Sequence, residues 1–255
     1  MKRIGWFTTA RGPGSHNLFM TMVGRVKSGD IDAQLSFVFI NRDIKGNTYR
    51  KSIVETAEAM DVPVIILPSE GFMPELKQQN NAEWREDYGQ ALRASISKYP
   101  MDFGVLAGYM LVVDPETCRQ FTIINLHPAL PDTYKGTWEE IVQKVVENGD
   151  ERYGATVHVC TPELDCGEPI AYDSFPLDGI KRRYASKDEL VKAIRAEELK
   201  REAYLLMETI KAMVNDEVVI RNGRLYDGKG KPLTEHPNLA ERIDLSLVSA
   251  NHKPS

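Results

Sequence analysis

The sequence predicts an α/β protein built on an open, mostly parallel sheet with helices on both faces. In the first half of its 255 residues, short apolar runs of strand length alternate with amphipathic stretches of helix length. This alternation is typical of parallel sheets whose connecting helices cover both faces. Ligands bind such sheets at the carboxyl ends of the strands, so functional residues are expected in the loops that follow the strands.

Local patterns define the individual elements. Apolar runs predict strands at 2–8, 34–40, 62–67, 103–107, 122–126 and 155–160. Helical spacing of apolar residues predicts one helix directly after the loop at 10–17 and others at 52–60, 83–98 and 137–147. A capping box formed by Ser186 and Glu189 begins a long helix that is expected to end near Val214.

The C-terminal part is predicted to add a hairpin and a tail to the sheet domain. An Asn222-Gly223 turn between two short apolar runs predicts a β-hairpin at 218–226. Residues 240–255 are polar and ragged, and we expect them to wrap the surface or fray. The predicted division is therefore a main domain at 1–215 and a hairpin with tail at 216–255, packed on or fraying from the same domain.

Composition excludes several classes of protein. The net charge of −5, from 32 Lys and Arg against 37 Asp and Glu, argues against a general nucleic-acid-binding protein. A hydrophobic content of 42% is too high for a disordered chain. No apolar run reaches secretory or membrane-spanning length, and the three cysteines form no CxxC pair. We therefore expect a cytoplasmic protein with reduced thiols, no metal site and no membrane partner.

A glycine-containing loop lies between the first predicted strand and the first predicted helix. Gly12 and Gly14 permit tight backbone geometry, Arg11 adds charge, and two side-chain donors follow at Ser15 and Asn17. Backbone N–H groups at a helix N-terminus attract anions, so the loop is a candidate phosphate site. It lacks the last glycine of a dinucleotide fingerprint and the Lys-Ser/Thr ending of a P-loop. An ordinary turn capped by Ser15 or Asn17 is the alternative.

Three polar side chains are candidates for catalysis. Asn125 and His127 lie two residues apart at the end of a predicted strand, so both side chains can point to one side. Asp165 lies at a turn after the strand predicted at 155–160. An amide, an imidazole and a carboxylate in one cleft could stabilise an oxyanion and move a proton, as acyl transfer to an amine requires. The spacing permits a contact between His127 and Asp165 without showing it, and a histidine bound by local backbone is the alternative.

These residues lie in motifs that resemble those of the folate-dependent formyltransferases. The most specific motifs are Asn-Leu-His-Pro at 125–128 and Leu-Asp-Cys-Gly at 164–167. Three others occur at the expected places, namely Gly-Pro-Gly-Ser at 12–15, Trp-Arg-Glu-Asp-Tyr at 84–88 and Leu-Ala-Gly-Tyr-Met at 106–110. The resemblance covers residues 2–230 and is strongest to the members that formylate glycinamide ribonucleotide in de novo purine biosynthesis. It implies the Rossmann-like formyltransferase fold, with 1–215 as the catalytic domain.

The resemblance also implies roles for individual residues. Asn125, His127 and Asp165 would form the catalytic set, with N10-formyltetrahydrofolate as co-substrate and no metal. The acceptor, a small phosphorylated amine, would be bound by Gly12, Gly14, Ser15, Asn17, Arg85 and Glu198. The folate would be bound by Met110, Leu111, Val112, Val113, Leu164 and Gly167. The family is also compatible with a homodimer.

Departures from the family pattern affect the acceptor side more than the chemistry. His16 is inserted between Ser15 and Asn17, so the residue that binds the phosphate is open among the three. Asp132, Lys135 and Trp138 replace the usual residues after the His-Pro pair. A related N-formyltransferase acting on an amino-sugar nucleotide is therefore the second hypothesis, and a non-catalytic folate- or nucleotide-binding module is the third. A tRNA acceptor is disfavoured because the C-terminal residues are few and not basic.

Overall fold

The computed structural model describes the backbone of residues 1–251 and the side chains of residues 1–248. The strands are β1 (Lys2–Thr8), β2 (Ala33–Ile40), β3 (Val64–Ile66), β4 (Phe103–Leu106), β5 (Ile123–His127), β6 (Arg152–Val159), β7 (Pro169–Pro176), β8 (Val219–Arg221) and β9 (Arg224–Tyr226). The helices are α1 (Pro13–Lys27), α2 (Thr48–Glu58), α3 (Pro74–Gln79), α4 (Asn81–Ile96), α5 (Pro115–Gln120), α6 (Trp138–Asn148), α7 (Asp178–Lys181), α8 (Lys187–Val214) and α9 (Ala240–Asn251).

A seven-stranded sheet has the order β3-β2-β1-β4-β5-β6-β7. Strands β1 to β5 pair in parallel, whereas β6 and β7 pair antiparallel. The predicted open, mostly parallel sheet is thus confirmed, and so are the long helix α8 and the hairpin formed by β8 and β9. The hairpin turns at Asn222 and Gly223, which both have positive φ angles, as the Asn-Gly pair predicts.

The chain divides into two compact units. The first comprises Met1–Asn125 with Val159–Leu164, and the second comprises Leu126–His158 with the chain from Asp165 onward. The predicted domain division between residues 215 and 216 stays a prediction.

The core of the first unit lies on both faces of β1. Trp6 and Phe7 are neighbours in this strand, so their side chains point to opposite faces. The Trp6 ring packs edge-on against Phe19 of α1, with 5.9 Å between the ring centroids. Phe7 belongs to a cluster on the other face that includes Trp84 and Leu92 of α4. Helices therefore cover both faces, and each fully buried side chain of this kind contributes about 1.5–3 kcal/mol.

The core of the second unit forms where α6 and α8 pack on the last two strands of the sheet. Ile141 and Val145 of α6 and Ile194 of α8 lie in one buried cluster. Tyr153 of β6 and Phe175 of β7 join that cluster, with their rings edge to face at 5.9 Å. Thr137 caps α6 in a full capping box with Glu140, which fixes where this helix begins.

Several element predictions were wrong in their bounds. Helix α2 begins at Thr48 and not at 52, because the Asn47 side chain accepts a hydrogen bond from the backbone N–H of Arg50 and caps the helix there. Strand β3 covers three residues of the predicted six. The sequence analysis did not predict the short helices α3, α5 and α7. It also did not predict β7, which pairs antiparallel with β6 beyond the alternating first half.

The expectation of an irregular tail was also wrong for residues 240–251, which form α9. Long-range contacts hold this helix: Ile243 is buried, and the Asp244 carboxylate accepts a hydrogen bond from Arg201 of α8 at 2.6 Å. Arg201 is distant from α9 in sequence, so the local residue pattern of a polar segment does not predict this contact. Residues 252–255 of the predicted tail lie outside the described residues.

Among residues 1–251, no helix is both long enough and apolar enough to cross a membrane.

Two helical glycines differ in what an added methyl group would meet, and this predicts opposite effects on stability. A Cβ at Gly89 in α4 would lie 1.9 Å from the Asp114 carboxylate. A Cβ at Gly24 in α1 would have no atom of the described residues within 4 Å apart from its chain neighbours and the backbone of its own helix. Gly24→Ala should raise the free energy of unfolding by about 0.5–1 kcal/mol. Gly89→Ala should lower it by about 1–3 kcal/mol despite its better helix propensity. Urea denaturation of both variants tests this, and a stabilised Gly89→Ala protein would contradict it.

Candidate functional site

A buried histidine lies at the carboxyl end of β5. His127 is the last residue of this strand, and it is only 7% exposed. Its Nε2 atom lies 2.8 Å from the main-chain oxygen of Tyr134. On the other side of the ring, Nδ1 lies 3.6 Å from Asp165 Oδ2. The sequence alone only permitted this proximity of His127 and Asp165, and the structure brings the two residues together.

The surroundings of the imidazole restrict where its protons lie. A carbonyl oxygen only accepts hydrogen bonds, so the contact with Tyr134 requires a proton on Nε2 of His127. The Nδ1 atom faces a carboxylate, which also accepts. Both ring nitrogens therefore have an acceptor oxygen close by, at 2.8 Å for Nε2 and 3.6 Å for Nδ1.

Asp165 lies between two histidines. Its Oδ1 atom is 3.8 Å from Nε2 of His158, and its side chain is 8% exposed. The rings of His127 and His158 are nearly perpendicular, with centroids 5.9 Å apart. The backbone of Asp165 has a φ of +52°, in the left-handed region that Asp adopts more readily than most residues.

His158 is the member of this cluster that the sequence reasoning missed as a functional residue. The strand pattern at 155–160 does place Thr156 and His158 on one face, but it gives no partner for either. The partner Asp165 comes from the turn that follows the strand, and local periodicity does not reveal that contact.

Asn125 lies in the first unit, two residues before His127 in β5. It is half-buried and pairs in register with Leu106 of β4. A separation of two residues in a strand directs side chains to the same face, as the sequence predicts.

The glycine loop is a helix N-terminus whose cap residue is Gly12. Helix α1 begins at Pro13, and no side chain in the described part of the protein caps it, so the alternative in which Ser15 or Asn17 is the cap is not found. Ser15 instead donates from its hydroxyl to the Gly12 carbonyl oxygen at 3.1 Å, and Asn17 lies exposed in the first turns. The first turn contains no acidic residue, so the positive end of the helix dipole keeps its attraction for an anion.

Gly108 at the end of β4 permits close packing against this helix start. Its φ is +65°, and a Cβ there would lie 2.8 Å from the Cβ of Ser15. The next residues return to the loop after β1, where the Met110 N–H donates to the Thr9 hydroxyl at 2.8 Å. The turn at 108–110 and the start of α1 are thus held together within the first unit.

The residues assigned to folate differ in exposure. Met110 and Leu164 are large apolar side chains that are 44% and 50% exposed. Leu111, Val112 and Gly167 are half-buried, whereas Val113 is buried in the core of the first unit. Exposed apolar side chains at a strand end are the kind of surface that an aromatic ligand covers.

Arg85 and Glu198, assigned to the acceptor, lie in contrasting surroundings. Arg85 is half-buried in α4. Glu198 in α8 is fully enclosed at 0% exposure, and Arg195 and Tyr153 are within hydrogen-bond distance of its two oxygens. Burial raises the pKa of the Glu198 carboxyl, and the nearby Glu202 carboxylate raises that pKa further.

The described residues hold no group of three or more His, Cys, Asp or Glu side chains arranged to bind a metal ion.

The geometry of His127 predicts its tautomer. Its Nε2 should carry a proton at neutral pH, because the Tyr134 carbonyl can only accept. His16 is the control, since its Nε2 lies 3.0 Å from the Ser52 hydroxyl, which both donates and accepts and sets no such requirement. Nitrogen-15 NMR of histidine-labelled protein distinguishes protonated from unprotonated ring nitrogens, and an unprotonated Nε2 at His127 would contradict the geometry.

Formyltransferases are among the known proteins that this chain resembles in sequence and in fold. The family model described as "Formyl transferase" matches residues 12–204. A phosphoribosylglycinamide formyltransferase from Haemophilus influenzae is 25% identical over 93% of this chain and 100% of its own length. One from Dictyostelium discoideum is 32% identical over 47% of this chain and 67% of its own. The solved structure of a phosphoribosylglycinamide formyltransferase from Coxiella burnetii matches in fold with a TM-score of 0.71 at 21% identity, over 93% of this chain and 99% of that one. The chain therefore belongs to the formyl transferase family.

Proposed function

We propose that the protein transfers a formyl group from N10-formyltetrahydrofolate to the primary amine of glycinamide ribonucleotide, in de novo purine biosynthesis. The observation that carries the proposal is the buried His127–Asp165 pair at the end of β5, in a chain of the formyl transferase family. The full-length match to a relative named phosphoribosylglycinamide formyltransferase supports the choice of acceptor.

The proposed mechanism is direct attack by the amine. The amine nitrogen of the acceptor bonds to the formyl carbon, and the formyl oxygen takes up negative charge, which Asn125 and a protonated His127 stabilise. The bond from that carbon to N10 of the folate then breaks as the carbonyl re-forms. The attacking nitrogen loses a proton, with Asp165 assisting through water, and N10 gains one. Asp165 also stabilises the positive charge of the His127 ring and orients the ring. The 3.6 Å between Asp165 Oδ2 and His127 Nδ1 is suitable for both roles.

The acceptor phosphate is proposed to bind at the N-terminus of α1. Backbone N–H groups for the phosphate are offered there by Gly12, Gly14 and Ser15. Asn17 would add a side-chain donor from α1, and Arg85 of α4 would add a positive charge. Apart from Gly12 and its two chain neighbours, no atom of the described residues lies within 4 Å of a Cβ built on Gly12, so a ligand could approach this backbone closely.

The folate is proposed to lie against the 110–113 segment and the residues Leu164 and Gly167. The exposed side chains of Met110 and Leu164 support this assignment. Independence from a metal, a homodimeric assembly and a cytoplasmic location stay predictions.

A different acceptor, such as an amino-sugar nucleotide, is the second candidate. The observation that favours it is the segment after His127, where the Lys135 ammonium lies 2.6 Å from Sγ of Cys166, the residue that follows Asp165. A cation beside the residue that follows Asp165 could select a differently shaped phosphorylated acceptor.

The decisive experiment supplies the purified protein with N10-formyltetrahydrofolate and one acceptor at a time. We expect release of tetrahydrofolate with glycinamide ribonucleotide and none with an amino-sugar nucleotide. Turnover with the amino-sugar nucleotide alone would replace the first proposal by the second. Folate binding without turnover on any amine would indicate a non-catalytic binding module.

Asp165→Asn should lower kcat by about 10²–10⁴, the range that general acid–base groups contribute, because the neutral amide neither balances charge on His127 nor takes up a proton. Folate binding, measured by fluorescence quenching, should persist. Asp178→Asn is the matched control, since Asp178 is an exposed carboxylate in the same unit that pairs with Arg182 on the surface. An unchanged kcat in Asp165→Asn would remove Asp165 from the mechanism.

A further inference from the structure

The chain leaves β5 through a tight turn directly after His127. The Ala129 N–H donates to the His127 carbonyl oxygen at 2.9 Å, so Pro128 is the centre of a three-residue turn. Two hydroxyls of β6 hold the next two carbonyls: Tyr153 donates to the Pro128 oxygen at 2.7 Å, and Thr156 donates to the Ala129 oxygen at 2.7 Å. The backbone that carries the imidazole is therefore anchored by side chains of β6.

Tyr153 also faces a second acceptor. Its hydroxyl oxygen lies 3.0 Å from Oε1 of Glu198, while it lies 2.7 Å from the Pro128 oxygen. A phenol has one proton and donates only one hydrogen bond. Both contacts are satisfied together when Glu198 is protonated. Its O–H then donates a hydrogen bond to the Tyr153 oxygen, and the Tyr153 O–H donates to the Pro128 carbonyl.

The charges around Glu198 favour that arrangement. Arg195 donates to Glu198 at 2.7 Å and to Glu202 at 2.6 Å, so one guanidinium faces two carboxylates. The Arg195 guanidinium also lies over the Trp138 ring of α6, at 5.0 Å. With one proton on Glu198, this enclosed group is neutral, which a buried cluster favours over a net negative charge.

We propose that Tyr153 and Glu198 are positioning residues, which set the orientation of the His127 imidazole through the turn at Pro128. The inference rests on the proposed function, because it gives His127 its catalytic role. It also adds to the role that family resemblance implies for Glu198, because this carboxyl acts on the His127 turn through Tyr153.

Tyr153→Phe removes the hydroxyl and keeps the ring in the core. We expect kcat to fall about tenfold, which corresponds to about 1.4 kcal/mol, with KM for both substrates within about twofold of the wild-type value. Thr209→Val is the matched control, because Thr209 is a buried residue of α8 whose hydroxyl donates to the Leu205 carbonyl oxygen of the same helix. The control should keep its kcat. A Tyr153→Phe protein with unchanged kcat would overturn the proposal.

Variants of Glu198 separate positioning from acceptor binding. Glu198→Ala should lower kcat about as much as Tyr153→Phe does, and the double variant should be little worse than either, because the two residues act in one chain of hydrogen bonds. Glu198→Gln should recover most of that loss, since its amide can donate to the Tyr153 oxygen as a protonated carboxyl does. A rise in KM for the acceptor at unchanged kcat in both variants would show direct contact and overturn the inference.

A spectroscopic measurement tests the positioning role of Tyr153 separately from the identity of the acceptor. Without substrates, the nitrogen-15 signals of the His127 ring, assigned by their loss in His127→Asn, should shift in Tyr153→Phe and not in Thr209→Val. Absence of wild-type turnover on glycinamide ribonucleotide would refute the proposed function alone. Unmoved His127 signals in Tyr153→Phe would refute the positioning role, whatever the acceptor is.

Discussion

The His127 imidazole lies between two oxygen acceptors, the carbonyl of Tyr134 and the carboxylate of Asp165. This arrangement requires three segments of the second unit to meet: the end of β5, the loop before α6 and the turn at Asp165. The loop before α6 and the turn at Asp165 are irregular and have little local stability of their own. Their convergence therefore depends on the packing of α6 and α8 on β6 and β7, which supplies the buried surface that irregular loops lack.

Buried ion pairs complete that packing. Arg201 binds both oxygens of Asp173, at 2.6 and 2.8 Å, and also binds Asp244 of α9. Arg195 pairs with Glu202 in the same helix, at 2.6 Å. Such pairs add little net stability over apolar residues, but loss of one partner leaves an unpaired buried charge and destabilises by about 3–5 kcal/mol. They act here as constraints that select one arrangement of α8, the helix that carries Glu198.

Sequence patterns predicted the elements that depend on local or periodic signals. Strand β1 was found with its observed bounds because Ile4, Trp6 and Phe7 form a short strand-like segment directly after the charged start of the chain. Helix α8 was found because Ser186 and Glu189 form a cap. The Formyl transferase motifs pointed to Asn125, His127 and Asp165 as the residues to examine. The link from Glu198 to Tyr153, 45 residues apart, and the packing that orders α9 depend on contacts between distant residues. Periodicity and spacing hold no information on such contacts, so these features could not be predicted.

The backbone at Asp165 restricts the residue there as much as the chemistry does. With a φ of +52°, a residue with a bulky or β-branched side chain would be strained by about 1–3 kcal/mol, whereas Asp, Asn and Gly adopt this region more readily. Glycine offers no group to face His127 and His158, and asparagine offers no charge. Aspartate is therefore the residue that fits the turn and also presents a carboxylate to His127, whereas asparagine removes the charge and leaves the turn in place.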